Sequence, residues 1–173
     1  MIRTVLNSDA PILAEIYNHY VQNTVITFEQ EPVSSLEMAK RIQDRQEVKL
    51  PWLVVEHQGV VFGYAYATAW RAREAYRHSV ESTVYLQKDS CGKGWGSLLL
   101  QSLLKELRQK DVHAVMAGIA LPNDASCSLH ETHGFTKVAH FSQVGRKHQR
   151  WVDVGYWQKI LLPSSTVKSS NRG

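Results

Sequence analysis

Residues 80–100 read VESTVYLQKDSCGKGWGSLLL, and a change of period inside this stretch decides the fold. Val80, Ser82, Val84 and Leu86 alternate with Glu81, Thr83, Tyr85 and Gln87 in a β-branched and aromatic run, the period-two pattern of a strand. From Trp95 the apolar residues Leu98, Leu99, Leu103, Leu104 and Leu107 recur at spacings of three and four, which predicts a helix with one buried stripe to about Lys110. Between the two lies Gly92-Lys93-Gly94-Trp95-Gly96. Glycine lets the backbone turn sharply and approach a ligand, and a helix start presents unpaired N–H groups and the positive end of a dipole. Residues 92–97 therefore read as a phosphate cradle.

Spacing separates the phosphate-binding designs that use such a loop. G-x-x-x-x-G-K-[ST] requires a hydroxyl after the lysine, but Lys93 is followed by Gly94 and Trp95. G-x-G-x-x-G requires glycine at the place of Ser97, and that fingerprint fails too. Taken alone, the loop is also compatible with a structural turn, the less favoured reading.

Residues 91–96, Cys-Gly-Lys-Gly-Trp-Gly, resemble the acetyl-CoA loop Q/R-x-x-G-x-G/A of the GNAT superfamily of N-acetyltransferases, with Cys91 where that family has Arg or Gln. Residues 123–135, NDASCSLHETHGF, resemble its second signature, N-x-x-A-x-x-x-Y-x-x-x-G-F, with His130 where Tyr is common. VESTVY at 80–85, LPN at 121–123, LHE at 129–131 and RWVDV at 150–154 are similar to the phosphinothricin and methionine sulfoximine (sulfone) acetyltransferase subfamily. The resemblance spans residues 1–161.

What it implies is an α+β fold in three layers, α/β/α, around a mixed sheet of about seven strands with about four helices. Acetyl-CoA is the implied co-substrate, with no metal, and a homodimer is the implied assembly, residues 147–151 lying near the partner's cleft. The pantetheine arm would pair with Val84, Tyr85 and Leu86 on a strand splayed from its neighbour, because an open edge offers unpaired amides to an amide-bearing arm. The phosphates would lie on Gly92, Lys93, Gly94, Trp95, Gly96 and Ser97, with Asn123 and Ser126 completing the acetyl-CoA side. The implied acceptor side is Phe28, Arg71, Ala72, Arg73, Glu81, Ser82 and Thr83.

Acetyl transfer needs a neutral amine, so a base within reach assists it. Glu81, upstream of the acetyl site on the same strand, is the candidate; the alternative is a sheet-face carboxylate paired with Arg71 or Arg73. His130 stands where the family's Tyr is credited with protonating the departing thiolate, against the alternative of a packed helical histidine. His130-Glu131-Thr132-His133 falls one residue short of H-E-x-x-H, which argues against a zinc-protease geometry.

The chain has 173 residues, 43% of them hydrophobic, which suits one domain, placed at residues 1–162. The tail at 163–173, PSSTVKSSNRG, has little to bury and is expected to be disordered. A net charge of +4, with 20 basic and 16 acidic side chains dispersed, favours small anionic ligands over nucleic acid. Met1-Ile2-Arg3 leads directly into strand-like sequence, and the longest apolar run, residues 60–70, is too short to span a bilayer, so a cytoplasmic protein without membrane segments is expected. Cys91 and Cys127 make no disulfide framework.

Along the chain, residues 2–6 read as a first strand, and Ser8-Asp9 offers an N-cap to a helix over 10–22 with Pro11 in its first turn. Residues 24–29 are β-prone, with Phe28 facing core or cleft; Ser34 or Ser35 caps a helix to about Gln46. Residues 52–57 and 60–70 flank Gln58-Gly59 as a hairpin. RAREAYRHS at 71–79 is either a solvated connection or a substrate wall in which Arg71 and Arg73 hold a carboxylate. Strands at 114–120, 136–144 and 151–160 and a helix at 123–133 closed by Gly134 complete the fold. Acetyl transfer to the α-amino group of a small amino-acid analogue is the leading function. Acetylation of a protein N-terminus or another small amine, or a non-catalytic acyl-CoA-binding module, are the alternatives.

Overall fold

The computed structural model describes residues 1–161, so the tail expected at 163–173 lies outside the described residues. In chain order the elements are β1 (Ile2–Thr4), α1 (Ala10–Asn23), α2 (Ser35–Glu47), β2 (Trp52–His57), β3 (Val60–Ala69), β4 (Ser79–Leu86), α3 (Trp95–Arg108), β5 (Ala114–Leu121), α4 (Asp124–Thr132), β6 (Thr136–Lys147) and β7 (Arg150–Ile160). The strands form one seven-stranded sheet in the order β1-β2-β3-β4-β5-β7-β6. Every neighbouring pair is antiparallel except β4 and β5, which run parallel and are joined through α3.

The sheet is covered on both faces, which gives the three layers. β2 shows why: Leu53 and Val55 face a core shared with α3, while Trp52 and Val54 face one shared with α1 and α2. The α3 stripe consists of Leu99, Leu100, Leu103, Leu104 and Leu107, all buried, whereas Leu98 is 45% exposed. The sequence pattern places Leu98 inside and omits Leu100, and the structure corrects both. At 100° per residue Leu98 lies roughly 160° round the helix from the centre of the buried set, so it faces water.

Caps and turns largely follow the sequence. Ser34 caps α2, its hydroxyl accepting the Glu37 N–H at 3.1 Å. Gln58 and Gly59 adopt φ of 52° and 79°, the paired left-handed residues of a two-residue hairpin. His148 and Gln149, at 47° and 60°, make a second such hairpin, extending β6 and β7 beyond their expected ends.

Two local expectations fail. Ser8-Asp9 does not cap α1; the Asp9 carboxylate instead accepts the Leu6 N–H at 2.8 Å and pairs with the Arg3 guanidinium at 2.7 and 2.9 Å, ending β1 at Thr4. Residues 24–29 form no strand. Their polar groups are taken by side chains instead: the Thr27 hydroxyl meets the Tyr17 hydroxyl at 2.8 Å, and its carbonyl accepts from Lys147 at 2.7 Å. Among the described residues no helix is long and apolar enough to cross a membrane.

Candidate active site

β4 and β5 pair only at Ser79↔Ala114, Val80↔Val115 and Glu81↔Met116. Beyond Glu81 the two strands part, and the Ser82 hydroxyl reaches across to the Met116 carbonyl at 3.1 Å. β4 remains paired with β3 as far as Gly63↔Leu86. The Gln87 N–H donates to Phe62 at 2.8 Å, and the Trp70 N–H to Ser79 at 3.1 Å. Antiparallel alternation then turns the backbone of odd-numbered residues toward β3 and that of Val84 and Leu86 into the gap. The backbone of Tyr85 thus belongs to β3, while its ring packs edge-on to Tyr17 at 5.2 Å. The Leu86 carbonyl accepts the Tyr20 hydroxyl at 2.6 Å, a partner that the helical pattern of Tyr20 did not reveal.

A cleft of about 680 Å³ opens at this gap. Glu81 stands at its apex, the last paired residue, half-buried in it. Burial pushes its carboxyl up from the ordinary range, opposed by the Gly118 backbone N–H and the Arg71 charge. Gly118 has no room for a side chain: a Cβ there would lie 2.9 Å from Glu81 Oε1 and 3.1 Å from the Tyr156 ring. A glycine inside a strand marks such close approach, and this signal was available in the sequence. A carboxylate with a raised pKa beside a cavity is suited to taking a proton.

His130 lines the same cleft from α4 and is 4% exposed. Its Nδ1 lies 2.8 Å from the Ser126 carbonyl, which assigns the proton to Nδ1. Its Nε2 is buried and has no hydrogen-bond partner among the described residues. Burial also pulls the imidazolium pKa down, against the Ser126 carbonyl that holds it up. Burial thus disfavours the charged imidazolium, where the resemblance implied a ready acid, and leaves an unpartnered Nε2 inside the cleft wall, with the ring packed edge-on to Phe135 at 5.1 Å. The Asn123 side chain caps α4, accepting the Ser126 N–H at 3.1 Å, and both residues line the cleft.

Residues 92–97 at the α3 N-terminus, which follow the far end of β4, are not among the lining residues of this cavity. Gly92 and Gly94 adopt φ of 75° and 83°, and Gly94 is the N-cap residue with no side-chain capping bond among the described residues. The first-turn amides of α3 are thus open to a ligand, unlike those of α2 and α4. Gly96 is buried, where a Cβ would contact Leu129 and Leu86 at 3.5 Å. The Trp95 ring stacks on Phe62 at 5.9 Å, so only its backbone serves the loop. Ser97 bonds His133 through Oγ at 2.7 Å, and Lys93 and Cys91 are exposed.

Arg71 lines the cleft and lies over the Trp70 ring at 5.0 Å. Ser82, Thr83 and Phe28 line it too, which places Phe28 on the cleft side of the two options. Ala72 and Arg73 are exposed and are not among the lining residues. Sequence reasoning missed the aromatic floor: Tyr156 meets Trp70 edge-on at 5.3 Å and Phe141 at 5.8 Å. Phe141 and Tyr156 read as ordinary strand residues, and only pairing of β5 with β7 brings Tyr156 opposite Gly118. Lys147 is 2% exposed within its own chain, while Trp151 of the same stretch is 59% exposed. Among the described residues no group of three His, Cys, Asp or Glu is arranged to hold a metal ion.

Comparison with known proteins adds a lineage to this geometry. The family profile described as acetyltransferase (GNAT) domain matches residues 2–155. The phosphinothricin N-acetyltransferase of Streptomyces viridochromogenes is 42% identical over 161 residues, covering 91% of this chain and 86% of that protein. The L-methionine sulfoximine/L-methionine sulfone acetyltransferase of Salmonella typhimurium is 38% identical over 160 residues, covering 92% and 94%. The crystal structure of a GNAT superfamily phosphinothricin acetyltransferase from Sinorhizobium meliloti, solved in complex with acetyl-CoA, superposes with a TM-score of 0.90 at 33% identity, covering 100% of this chain and 98% of its own.

Proposed function

The chain belongs to the GNAT acetyltransferase family, and from that premise we propose that it moves an acetyl group from acetyl-CoA to the α-amino group of a small amino-acid analogue of the phosphinothricin, methionine sulfoximine or methionine sulfone type, detoxifying it. The observation that carries this reading is Glu81 at the apex of the splayed β4–β5 gap, with an uncapped helix start to one side and Arg71 to the other. A module that only bound acyl-CoA would gain nothing from a half-buried carboxylate there.

The residues divide the work in three. Phosphates are held by the amides of residues 92–97 and the pantetheine arm by Val84 and Leu86, so the thioester arrives beside Glu81. Arg71 pairs with the acceptor carboxylate, and Glu81 takes a proton from the acceptor ammonium to give the attacking amine. As the N–C bond forms and the C–S bond breaks, the nitrogen loses a second proton to the bare Nε2 of His130, which passes it to the departing sulfur. His130 thus begins each turnover as an acceptor and becomes an acid only after the amine has charged it.

The test is thiol release from acetyl-CoA across amino acids, their amides, and the sulfoximine, sulfone and phosphinate analogues. Acceptors with a free carboxylate should react, and Arg71→Ala should raise their KM by roughly tenfold to a hundredfold, the equivalent of a charge-assisted hydrogen bond. Amides that react as well as acids in both wild type and Arg71→Ala would remove the carboxylate role.

We further propose a homodimer. β6 is an edge strand, and Trp151 on its neighbour β7, outside the cleft lining, is 59% exposed, an apolar surface of the kind that natural sheet edges cover. Sedimentation should give twice the chain mass, and Trp151→Lys should shift it toward the monomer. A wild-type protein that sediments as a monomer at micromolar concentration would refute this assembly.

A further inference from the structure

Lys147 is the last residue of β6 and is almost wholly buried, yet neither the acetyl-CoA cradle nor the proton route uses it. Its Nζ donates to the Thr27 carbonyl at 2.7 Å and lies 3.4 Å from the Tyr20 carbonyl. Burial pulls its ammonium down from the ordinary lysine range, and the Glu29 carboxylate opposes this. A buried charge held mainly by main-chain carbonyls is costly, so its effect lies in what it fixes.

What it fixes is the connection between α1 and α2. Tyr20 is in the last turn of α1, where a cation complements the dipole, and Thr27 follows in the segment that reads as strand but forms none. That segment is tied at other points as well. The Tyr17 hydroxyl bonds Thr27 Oγ1 at 2.8 Å and Glu29 at 2.5 Å, while Arg41 of α2 grips Glu29 at 2.6 and 3.0 Å. Between the tied residues, Ile26, Thr27 and Phe28 form one wall of the cleft.

Phe28 closes the connection from the other side. Its ring lies on Gly145, two residues before Lys147, where any Cβ would run into it. Val144, the next residue back, lines the cleft too. The acceptor wall therefore consists of two stretches 120 residues apart in sequence, joined by one ammonium and one ring-on-glycine contact.

We propose that Lys147 is a positioning residue for the acceptor: its ammonium staples residues 24–29 onto β6, and the bare backbone of Gly145 seats Phe28 so that the wall meets the acceptor side chain. The inference rests on the reading of this cleft as the acceptor site. Acetyl-CoA is bound by the gap and by α3, which the staple touches only through Tyr20, whose hydroxyl donates to the Leu86 carbonyl at 2.6 Å.

Lys147→Met keeps all but the terminal atom of the side chain's length and removes the donor without leaving a buried charge. Hydrogen exchange should then rise in residues 24–29 while α3 remains protected. The acceptor kcat/KM should fall by about tenfold to a hundredfold through KM, the scale on which small misplacements of a bound group act, with the KM for acetyl-CoA within about twofold of wild type. Gly145→Ala should shift the acceptor KM in the same direction, and its effect should vanish in a Phe28→Ala background, since the two residues then no longer collide. Unchanged exchange at 24–29 in Lys147→Met overturns the staple. So does an equal rise in both KM values, and so does a Gly145→Ala effect that persists without the Phe28 ring. Raised exchange at 24–29 in a protein whose wild type acetylates none of the amino-acid panel would leave the staple standing and overturn the acceptor reading instead.

Discussion

Glu81→Gln is expected to lower kcat/KM for the amino-acid acceptor by about 10² to 10⁴, the usual contribution of a positioned general base, while acetyl-CoA affinity stays near wild type. Glutamine keeps the size of the side chain and can still meet the Gly118 N–H, but it cannot take a proton. The pH profile separates this from a structural loss. In the wild type both Glu81, with its pKa raised by burial, and His130, with its pKa lowered by burial, must be deprotonated, so activity falls as pH falls through these groups. The variant should lose the Glu81 contribution to that acidic limb and recover partly at high pH, where the acceptor amine arrives already neutral. Stability should move the opposite way to activity. A carboxyl whose pKa is raised by folding favours the folded state most below its unfolded pKa, and that favour is lost as pH rises through the folded value. At neutral pH the ionised Glu81 thus weighs against folding, and Glu81→Gln should melt no lower than wild type. Wild-type turnover in Glu81→Gln across the pH range would make Glu81 a sheet-face carboxylate and nothing more.

Gly94→Val should weaken acetyl-CoA binding by tenfold or more. Gly94 sits at φ 83° as the first flanking residue of α3, and a side chain there costs on the order of 1–2 kcal/mol in a left-handed conformation, more when β-branched. A Cβ at this position would meet nothing within 4 Å, so the fold tolerates the change, and the strain relaxes by rotating the loop's amides away from their common focus. Each 1.4 kcal/mol of that reorientation is a factor of ten in affinity. Calorimetric titration with acetyl-CoA reads it directly. Unaltered affinity in a folded Gly94→Val protein would show that the phosphates rest elsewhere.

Much of this protein is legible in its sequence because the decisive signals are local. The switch from alternation over residues 80–86 to the three-four spacing after Trp95 defines β4 and α3, since each period is a property of one element's own backbone. The glycines at 92 and 94 announce their left-handed turns for the same reason, as does Ser34 its cap. Glu81 was singled out by the match of VESTVY to the subfamily together with its phase on that strand.

Other features depend on partners distant in sequence. Residues 24–29 have the composition of a strand, but a strand exists only where another lends it hydrogen bonds, and here Tyr17 and Lys147 supply them instead. The tautomer of His130 is set by one carbonyl on its own helix, yet the unpaired Nε2 among the described residues is a property of the packed cleft. Burial of Lys147 and the seat of Phe28 on Gly145 follow from a contact spanning 120 residues of chain, which no local pattern encodes. The sequence alone determined nearly all of the elements and their order, because backbone geometry and short-range chemistry are written residue by residue, and the resemblance of VESTVY made Glu81 the candidate base. Only the tertiary structure decided the width of the β4–β5 gap, the wall facing Glu81 and the protonation of His130, because desolvation and neighbouring charge arise when separate elements are brought together.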